Sequence, residues 1–433
     1  MSAGNENEPK LGLVALATAI LEDATAVEEY LKERGLPQPS FLPVPGAPPR
    51  LNIEDRGVAE AHERVLNSTR ELHHLTLGPM QSLTSLVSFE DPFAISVLNK
   101  LDVALHVPLD GTATFEHLSE KTGVPLADLR HILRMAMTSY VFTEPTPGFV
   151  AHTAASKLLR ESAFARNMIT FRCDEHFIGS AKAAEALVKY KDEEPQLSGW
   201  GFANNATKPL FDELAEKHPE RFANFKAGVA IVGATAVPRH MVLQGFDWAG
   251  LAPGTRVVDI GGGGGEISAM LAREYPNLSF VVQDYEDDIR KGEKELAEDL
   301  KNEGRVTFMP HSFLDPQPIK DADVYFFRSI FQNWPAKYAI RILRNLIPAL
   351  KKGAKIRIHD PMTPDKGLLS PWQERQKLSM DSRMFVLFKS HHRYADSWSL
   401  IFAEADPRFR IISIKPSHIA ARAMINIDVV WDE

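Results

Sequence analysis

The chain has 433 residues, enough for two or three domains, and its 44% hydrophobic and 24% charged residues are ordinary for a globular protein. A net charge of −8 argues against nucleic-acid binding as the main function, because phosphate backbones select basic surfaces. The single cysteine, Cys173, excludes a disulfide framework and a thiolate zinc site, and no metal is expected. The polar, acidic N-terminus and the lack of a long apolar run predict a cytoplasmic chain without a membrane span.

The first part of the chain is predicted to be helical. Apolar residues recur at helical spacing from Leu11 to Glu33 and from Val58 to Leu75, and a proline-rich linker covers residues 36–50. Between residues 94 and 159 short helices precede a hairpin, which is the layout of a winged helix. The helix predicted over residues 125–138 is mainly apolar, so packing or dimerisation is favoured over a role in DNA binding.

After a polar stretch at residues 191–208, short apolar runs alternate with helical stretches. The runs are Arg256–Ile260, Leu278–Asp284, Val306–Met309, Ala322–Arg328 and Lys355–His359. This order predicts a doubly wound parallel sheet, because helical crossovers connect parallel strands. Two alternating segments near the C-terminus, Phe409–Lys415 and Ala423–Trp431, predict an added antiparallel hairpin.

The first of these strands leads into five consecutive glycines, which indicates a turn that approaches a nucleotide-like cofactor. A dinucleotide site needs Gly-x-Gly-x-x-Gly, yet Glu266 stands where the last glycine belongs. The pattern present is Asp-x-Gly-x-Gly-x-Gly, which resembles the cofactor loop of S-adenosylmethionine (SAM) methyltransferases. It runs through Asp259, Gly261, Gly263 and Gly265. Asp284 closes the next strand, where a carboxylate can accept both ribose hydroxyls. A glycine loop that only makes a tight turn is the alternative.

Longer stretches resemble the fungal branch of the plant-type, caffeic acid-like small-molecule O-methyltransferases. Residues 208–222 are similar to that family's interdomain helices, residues 257–266 to its cofactor loop, and Asp360–Pro364 to the turn after its fifth strand. The resemblance implies an α/β fold with a Rossmann-like class I SAM-methyltransferase domain at residues 209–433. An α-helical winged-helix dimerisation domain at residues 1–208 is expected to precede it. The resemblance also implies a homodimer, bound SAM and a small-molecule substrate held between the two domains.

The family's catalytic histidine is missing from the matching position. Family members carry His-Asp-Trp after the fourth strand, and the histidine takes the substrate proton, whereas this chain has Gln332-Asn333-Trp334. A glutamine amide cannot accept a proton, so general-base catalysis, worth roughly 100- to 10,000-fold, is lost at Gln332. By the same match, Asp360 keeps the family's acid after the fifth strand. The position of the family's second glutamate, which steadies the catalytic histidine, falls near His392 in this chain.

The resemblance also assigns residues around the cofactor and the substrate. Ser312 stands where the family has an aspartate that contacts the adenine amine, Phe313 can stack on the adenine, and Arg328 is expected near the cofactor. The substrate residues that the resemblance implies are Phe171, His176, Asn333, Met380, Met384 and Phe388. At helical spacing, methionine and aromatic residues are also typical of a plain core.

Three functions fit this pattern. The first is a SAM-dependent O-methyltransferase with a relocated base, for which the candidates are His311, His359 and His392. The second is an inactive, SAM-binding regulatory relative. The third resembles methyltransferase-like fungal enzymes that dehydrate a polyketide-derived pyridone alcohol to a quinone methide. Those enzymes then close a ring by an Alder-ene or hetero-Diels–Alder reaction, and SAM stays bound without being consumed.

The third function is favoured, because pericyclic bond formation needs no base. It needs a shaped apolar pocket and a hydrogen-bond donor to the pyridone carbonyl. Lys337 is the candidate donor, with Gln332 and Asn333 assisting. The alternatives are a solvated helix lysine for Lys337 and a helix cap for the two amides. Candidates for the acid–base help that dehydration requires are His359, Asp360 and His392.

Overall fold

The computed structural model describes residues 12–236, 239–419 and 422–432, and contacts among residues divide the chain into two units. One unit runs to Asp174 and includes Ser370–Trp372, and the other comprises Glu175–Leu369 and the residues from Gln373 onward. Residues 175–208, predicted to belong to the N-terminal domain, group with the second unit. The division into functional domains at 208/209 stays a prediction.

The first unit is mainly helical and carries one small sheet. Its helices are α1 (Leu13–Glu33), α2 (Arg56–Ser85), α3 (Glu90–Lys100), α4 (Val103–His106), α5 (Phe115–Thr122), α6 (Leu126–Thr138), α7 (Ala154–Glu161) and α8 (Ala163–Phe171). Its strands are β1 (Ala113–Thr114), β2 (Thr143–Thr146) and β3 (Phe149–Ala151), in the order β1-β3-β2. The predicted order of two helices and a hairpin is present in α5, α6, β2 and β3, and its identification as a winged helix stays a prediction.

Helices α1 and α2 follow the predicted apolar stretches with different ends. The predicted start of α1 at Leu11 lies outside the described residues, and α2 begins two residues before Val58 because the Asp55 side chain accepts the backbone N–H of Val58 at 3.0 Å. Helix α2 also continues to Ser85 across a kink. Gly78 has a φ of 70° there, and Pro79 cannot donate a backbone hydrogen bond.

The second unit is built on a seven-stranded sheet. Its helices are α9 (Ile178–Lys189), α10 (Gly199–Asn204), α11 (Leu210–Lys217), α12 (Pro219–Ala236), α13 (Arg239–Gly245), α14 (Glu266–Glu274), α15 (Glu286–Glu295), α16 (Glu298–Glu303), α17 (Ala336–Leu346), α18 (Pro371–Phe388, which begins within the segment grouped with the first unit) and α19 (Ser397–Ala405). Its strands are β4 (Arg256–Ile260), β5 (Ser279–Asp284), β6 (Val306–Pro310), β7 (Val324–Arg328), β8 (Lys355–Pro361), β9 (Phe409–Ile419) and β10 (Arg422–Trp431).

The sheet has the order β6-β5-β4-β7-β8-β10-β9. Strands β4 to β8 are parallel, and β10 pairs antiparallel with β8 and β9, so the predicted α/β class and terminal hairpin are confirmed. Both faces are buried. On β7, Tyr325 and Phe327 enter one core cluster, and Val324 and Phe326 enter the other. The strand order changes direction at β4, because β5 and β6 lie on one side of it and β7 and β8 on the other. Ligands of such sheets bind at the carboxyl ends of the strands at this point.

The stretch at residues 191–208 is more ordered than its polar composition suggests. It contains a 3₁₀ turn at Pro195–Leu197 and helix α10, where Trp200 is fully buried. The Trp200 ring nitrogen donates to Glu175 Oε2 at 2.6 Å, and Arg221 donates to both oxygens of the same carboxylate. These bonds connect the segment to α12 of the second unit.

None of the helices within the described residues has both the length and the apolar composition that crossing a membrane requires.

Candidate functional site

The glycine loop follows β4, the strand that carries the buried carboxylate of Asp259. Asp259 is 2% exposed, its Oδ2 accepts the Ser268 hydroxyl at 2.6 Å, and burial raises its pKa to about 6. The hydrogen bond joins the end of β4 to the first turns of α14. The buried Asp259 side chain therefore stabilises the two ends of the glycine loop through Ser268.

Three glycines in this loop have positive φ angles, and two of them, Gly261 and Gly263, have different surroundings. Gly261 has a φ of 71°, and a Cβ there would lie 2.3 Å from Ile330 Cδ1 and 3.6 Å from Phe313 Cε1. Gly263 has a φ of 58°, and a Cβ there would meet nothing within 4 Å. The first glycine permits a close approach to side chains, and the second leaves space for a ligand beside the backbone. The predicted Gly265 also has a positive φ, at the start of α14.

Asp284 closes β5 beside the loop, as predicted. One carboxylate oxygen accepts the Gly263 N–H at 2.7 Å, and the other accepts the Tyr285 N–H at 2.7 Å. Desolvation raises the pKa of Asp284 to about 6. The Tyr285 hydroxyl donates to Asp212 Oδ1 at 3.1 Å, which ties α11 to this end of the sheet.

The adenine side of the predicted site lies on the segment between β6 and β7. The half-buried Phe313 ring is 5.7 Å from the Trp334 ring at 86°, and Ser312 is exposed. The His311 N–H donates to the Asp284 carbonyl at 3.1 Å, and burial lowers the pKa of His311. Phe313 therefore lies across the Gly261 turn, where a ring could stack on a base.

Arg328 ends β7 close to two acidic groups. Burial lowers its pKa, and the charges of Asp259 and Asp360 oppose that shift. The guanidinium thus lies near both the Asp259 carboxylate on β4 and the Asp360 carboxylate on β8.

A 3₁₀ turn at Phe331–Asn333 carries Gln332 and the half-buried Asn333. The Gln332 amide nitrogen donates to the Ser329 carbonyl at 3.3 Å, so Oε1 faces His392 Nε2 at 3.2 Å. This arrangement assigns the ring proton of His392 to Nε2 and leaves Nδ1 unprotonated in the neutral ring. A histidine therefore contacts the glutamine that stands where the resemblance places the family's base.

His392 is deeply buried and lies beside a carboxylate that sequence reasoning missed. It is 3% exposed, and desolvation lowers its pKa well below the usual value. Asp381 Oδ1 accepts the His392 backbone N–H at 2.5 Å and lies 3.9 Å from His392 Nδ1. Asp381 and the buried Lys377 are four residues apart on α18, so their side chains share one face of the helix. This spacing is the sequence signal that could have identified Asp381.

The two predicted residues on β8 point in opposite directions, because side chains alternate along a strand. Asp360 is 1% exposed, burial raises its pKa to about 7, and the Gln332 backbone N–H donates to it. His359 Nδ1 is 2.6 Å from Asn426 Oδ1 on β10, and burial lowers the pKa of His359 to about 4. The structure therefore brings Gln332, Asp360 and His392 together and directs His359 away from them.

Arg393 was also missed, although it follows His392 directly. Its guanidinium donates to the Phe331 and Trp334 carbonyls at 2.6 Å each. These carbonyls lie on either side of Gln332, so Arg393 fastens the turn that carries it.

Lys337 does not join this group. Its side chain is 56% exposed, its ammonium bonds Glu194 and lies 4.0 Å from Asp192 Oδ1, and this pairing raises its pKa. The Tyr338 hydroxyl also donates to Glu194 at 2.6 Å. The geometry matches the alternative stated for Lys337, a helix lysine at the surface, and a donor role for it stays a proposal.

The predicted substrate residues have mixed surroundings. Phe388 is 3% exposed and stacks on Phe211 at 5.3 Å, so it belongs to the packing of the second unit. Met380 and Met384 are half-buried on α18, and His176 is half-buried in a π-helical turn, Arg172–Phe177. Phe171 is buried at the end of α8 in the first unit. No group of three potential metal ligands occurs among the described residues.

The sheet order, the glycine loop and the carboxylate that ends β5 define an α/β protein of the SAM-methyltransferase class. A family model for the O-methyltransferase domain matches residues 189–407. The chain is 32% identical to O-methyltransferase pyvH of Aspergillus violaceofuscus, over 97% of this chain and 99% of that protein. It belongs to the O-methyltransferase family.

Solved structures share the fold. The structure of OxaC in complex with sinefungin and meleagrin has a TM-score of 0.74 at 18% identity, covering 96% of this chain and 99% of that one. A structure described as a pericyclic reaction enzyme has a TM-score of 0.68 at 19% identity, covering 96% of this chain and all of that one. The described helical first unit and mixed sheet match the plant-type O-methyltransferase architecture.

The family's cofactor is SAM, and the residues present fit it. The space beside Gly263 admits a ligand, the Asp284 carboxylate can accept two ribose hydroxyls, and the Phe313 ring lies across the loop. Bound there, SAM would supply an electrophilic methyl group on a positively charged sulfonium. The chain is thus an enzyme-family member whose cofactor loop fits SAM.

Proposed function

We propose that the chain is a pericyclase of fungal secondary metabolism that dehydrates a polyketide-derived pyridone alcohol and cyclises the product. The contact between Gln332 Oε1 and His392 Nε2 carries the proposal. The group at the methyl-transfer position is an amide whose oxygen already accepts a hydrogen bond. Neither it nor the Nε2–H of His392 can take a proton from a substrate hydroxyl.

The dehydration step needs a proton donor, and Asp360 suits that role. Burial raises its pKa to about 7, so a large fraction of the carboxyl group is protonated near neutral pH. The alcohol oxygen takes this proton, the C–O bond breaks and water leaves. The pyridone hydroxyl gives up a proton that returns to the carboxylate, so the net change is loss of one water molecule. The quinone methide then closes a ring with no gain or loss of atoms.

The ring closure needs orientation and hydrogen bonds rather than a base. Holding the flexible chain in its reactive fold removes entropy from the barrier, and a donor to the pyridone carbonyl withdraws electron density. The proposed donors are Asn333 and the Gln332 amide, which would have to leave the Ser329 carbonyl to reach the substrate. SAM in this function stays bound, held by Asp284 and the glycine loop.

A methyltransferase with His392 as its relocated base is the second candidate. Nδ1 of the neutral ring is unprotonated, Asp381 lies 3.9 Å from it, and the curated relative pyvH is an O-methyltransferase by name. Against it, burial lowers the pKa of His392 well below the ordinary value, which weakens the ring as a base.

Mass spectrometry of products separates the two functions. Purified protein would be incubated with phenols and reduced pyridone alcohols, with and without SAM. We expect loss of about 18 Da and cyclised isomers with SAM unconsumed, and we expect Asp360→Asn, which removes the proposed proton donor, to slow dehydration by roughly 100-fold or more. A SAM-dependent gain of about 14 Da that His392→Leu abolishes would establish the methyltransferase instead. No turnover of either kind would favour the regulatory relative.

Lys337→Ala tests the remaining donor in the same assay. A changed ratio of cyclised products would mean that the ammonium leaves Glu194 to reach the substrate. An unchanged ratio would assign Lys337 to its surface ion pair.

A homodimer is part of the proposal, supported by the apolar surface of the first unit. Val14 is 81% exposed and Leu21 is 67% exposed on α1, beside a groove that Leu13, Ala17 and Leu72 also line. Burying such side chains contributes about 1.5–3 kcal/mol each, so a second copy would gain by covering them. We expect Val14→Glu/Leu21→Glu to yield a monomer in light scattering, while the wild type is a dimer. A wild-type monomer would contradict the proposal.

A further inference from the structure

Two buried glutamines next to the cofactor site form a reciprocal amide pair. Gln283 Nε2 donates to Gln317 Oε1 at 3.0 Å, and Gln317 Nε2 donates to Gln283 Oε1 at 2.8 Å. Gln283 is fully buried and Gln317 is 4% exposed. Such a pair satisfies both amides only in one relative orientation, so it fixes the separation of the segments that carry them.

Gln283 lies between the glycine loop and Asp284, which are the two parts of the predicted ribose site. Its carbonyl accepts the Gly261 N–H at 2.8 Å and the Gly262 N–H at 3.1 Å, and the next residue is Asp284. The backbone of Gln283 thus anchors the glycine loop, while its side chain leaves the strand toward Gln317.

Gln317 lies on the segment that carries Phe313. Its N–H donates to the Asn345 carbonyl at 2.9 Å, and its Oε1 also accepts the Ile319 N–H at 3.0 Å. Asn345 in turn donates to the Phe313 carbonyl at 3.2 Å. The segment from 311 to 320, which we call the adenine-side loop, is therefore held by α17 on one side and by Gln283 on the other.

We propose that Gln283 and Gln317 are positioning residues for the cofactor, which set the distance between the Asp284 carboxylate and the Phe313 ring. Neither amide needs to touch SAM. The pair instead couples the ribose end of the site to the adenine-side loop. This role goes beyond the proposed reaction and holds for a pericyclase, a methyltransferase or a non-catalytic binder alike.

The test is the affinity of the full-length protein for S-adenosylhomocysteine, measured by isothermal titration calorimetry. In Gln317→Leu, the Gln283 amide loses its partner in a buried position, and the loop shifts to relieve it. We expect the Kd to rise about tenfold, and the same for Gln283→Leu. The Gln283→Leu/Gln317→Leu double variant buries two apolar chains of similar shape, so it leaves neither glutamine amide unpaired and costs less stability than the single variants, although the Ile319 N–H loses its acceptor. Its Kd should still rise about tenfold, because the directional bonds are absent.

Two control variants distinguish positioning from loss of stability. Gln244→Leu makes the same replacement at an exposed position on α13. Val429→Ala opens a cavity at a fully buried position on β10, and three strands separate β10 from β5 in the sheet. We expect Val429→Ala to lower the Tm and to leave the Kd unchanged, as Gln244→Leu also should. If the glutamine variants that fold, the double variant included, keep the Kd within about twofold of wild type, the positioning role is wrong.

Discussion

Replacing Asp284 by asparagine is expected to weaken the binding of S-adenosylhomocysteine by about 100-fold near neutral pH. The ionised carboxylate can accept two ribose hydroxyls in charge-assisted hydrogen bonds, which are roughly twice as strong as neutral ones. Its contact with the Gly263 N–H at 2.7 Å also aligns it with the glycine loop. An amide offers one acceptor and no charge, so the loss should amount to about 2.7 kcal/mol. Isothermal titration calorimetry measures this change.

The same residue predicts a pH dependence of cofactor binding. Desolvation raises the pKa of Asp284 from 3.8 to about 6, so the carboxylate is ionised above that pH and protonated below it. Ribose hydroxyls bind the ionised form, so the Kd should rise as the pH falls and be about tenfold higher at about pH 5 than at neutral pH. Asp284→Asn should remove most of this dependence.

Asp287→Asn is the matched control, because it makes the same change at an exposed position three residues later. It should leave both the Kd and its pH dependence unchanged. If Asp284→Asn binds within a few-fold of wild type, the carboxylate does not hold the ribose.

The largest effect on stability is expected for Glu175→Ala in the second unit. The Glu175 side chain is 3% exposed and accepts hydrogen bonds from Trp200 at 2.6 Å and from Arg221 at 2.9 and 2.7 Å. Removing it leaves the buried Trp200 N–H without its acceptor and leaves Arg221 with the neutral Asn204 Oδ1 at 3.1 Å but without its carboxylate. Breaking a buried ion pair in this way typically costs about 3–5 kcal/mol. Because the Arg221 side chain is 29% exposed, we expect about 3 kcal/mol in urea unfolding of this unit.

Glu216→Ala removes a carboxylate from a surface pair and serves as the comparison. Its partner Lys208 is 49% exposed and Glu216 is 52% exposed, so the change should be at most about 1 kcal/mol. Equal effects of the two variants would mean that the buried pair gives no special stability to the segment around Trp200.

Two positions differ from the family pattern that the resemblance predicts. The resemblance assigns the family's base to position 332 and a supporting carboxylate near position 392, and this chain has an amide and an imidazole there. Gln332 Oε1 and His392 Nε2 are 3.2 Å apart, so the side chains at the two positions contact each other although both differ from the family pattern. Asp381 then supplies the carboxylate beside the ring.

The parts of the fold that the sequence predicted well depend on local patterns. The strand at Arg256–Ile260 has the predicted ends, because its apolar run stops at a glycine turn that no strand can continue. Strand β8 runs two residues further than predicted, since Pro361 pairs with Met424 of the terminal hairpin. The spacing from the glycine loop likewise predicted that Asp284 ends the next strand, because one crossover helix separates neighbouring parallel strands.

The sequence by itself thus determined the α/β class, the cofactor loop and the absence of a base at Gln332, since each is written in short-range spacing or residue type. Only the tertiary structure decided which distant residues meet. It joined Gln332 to His392 across 60 positions and Gln283 to Gln317 across 34, and it gave Lys337 to a surface carboxylate. Contacts of this kind depend on how strands alternate and helices pack against them, and no periodicity along one segment records the partner on another.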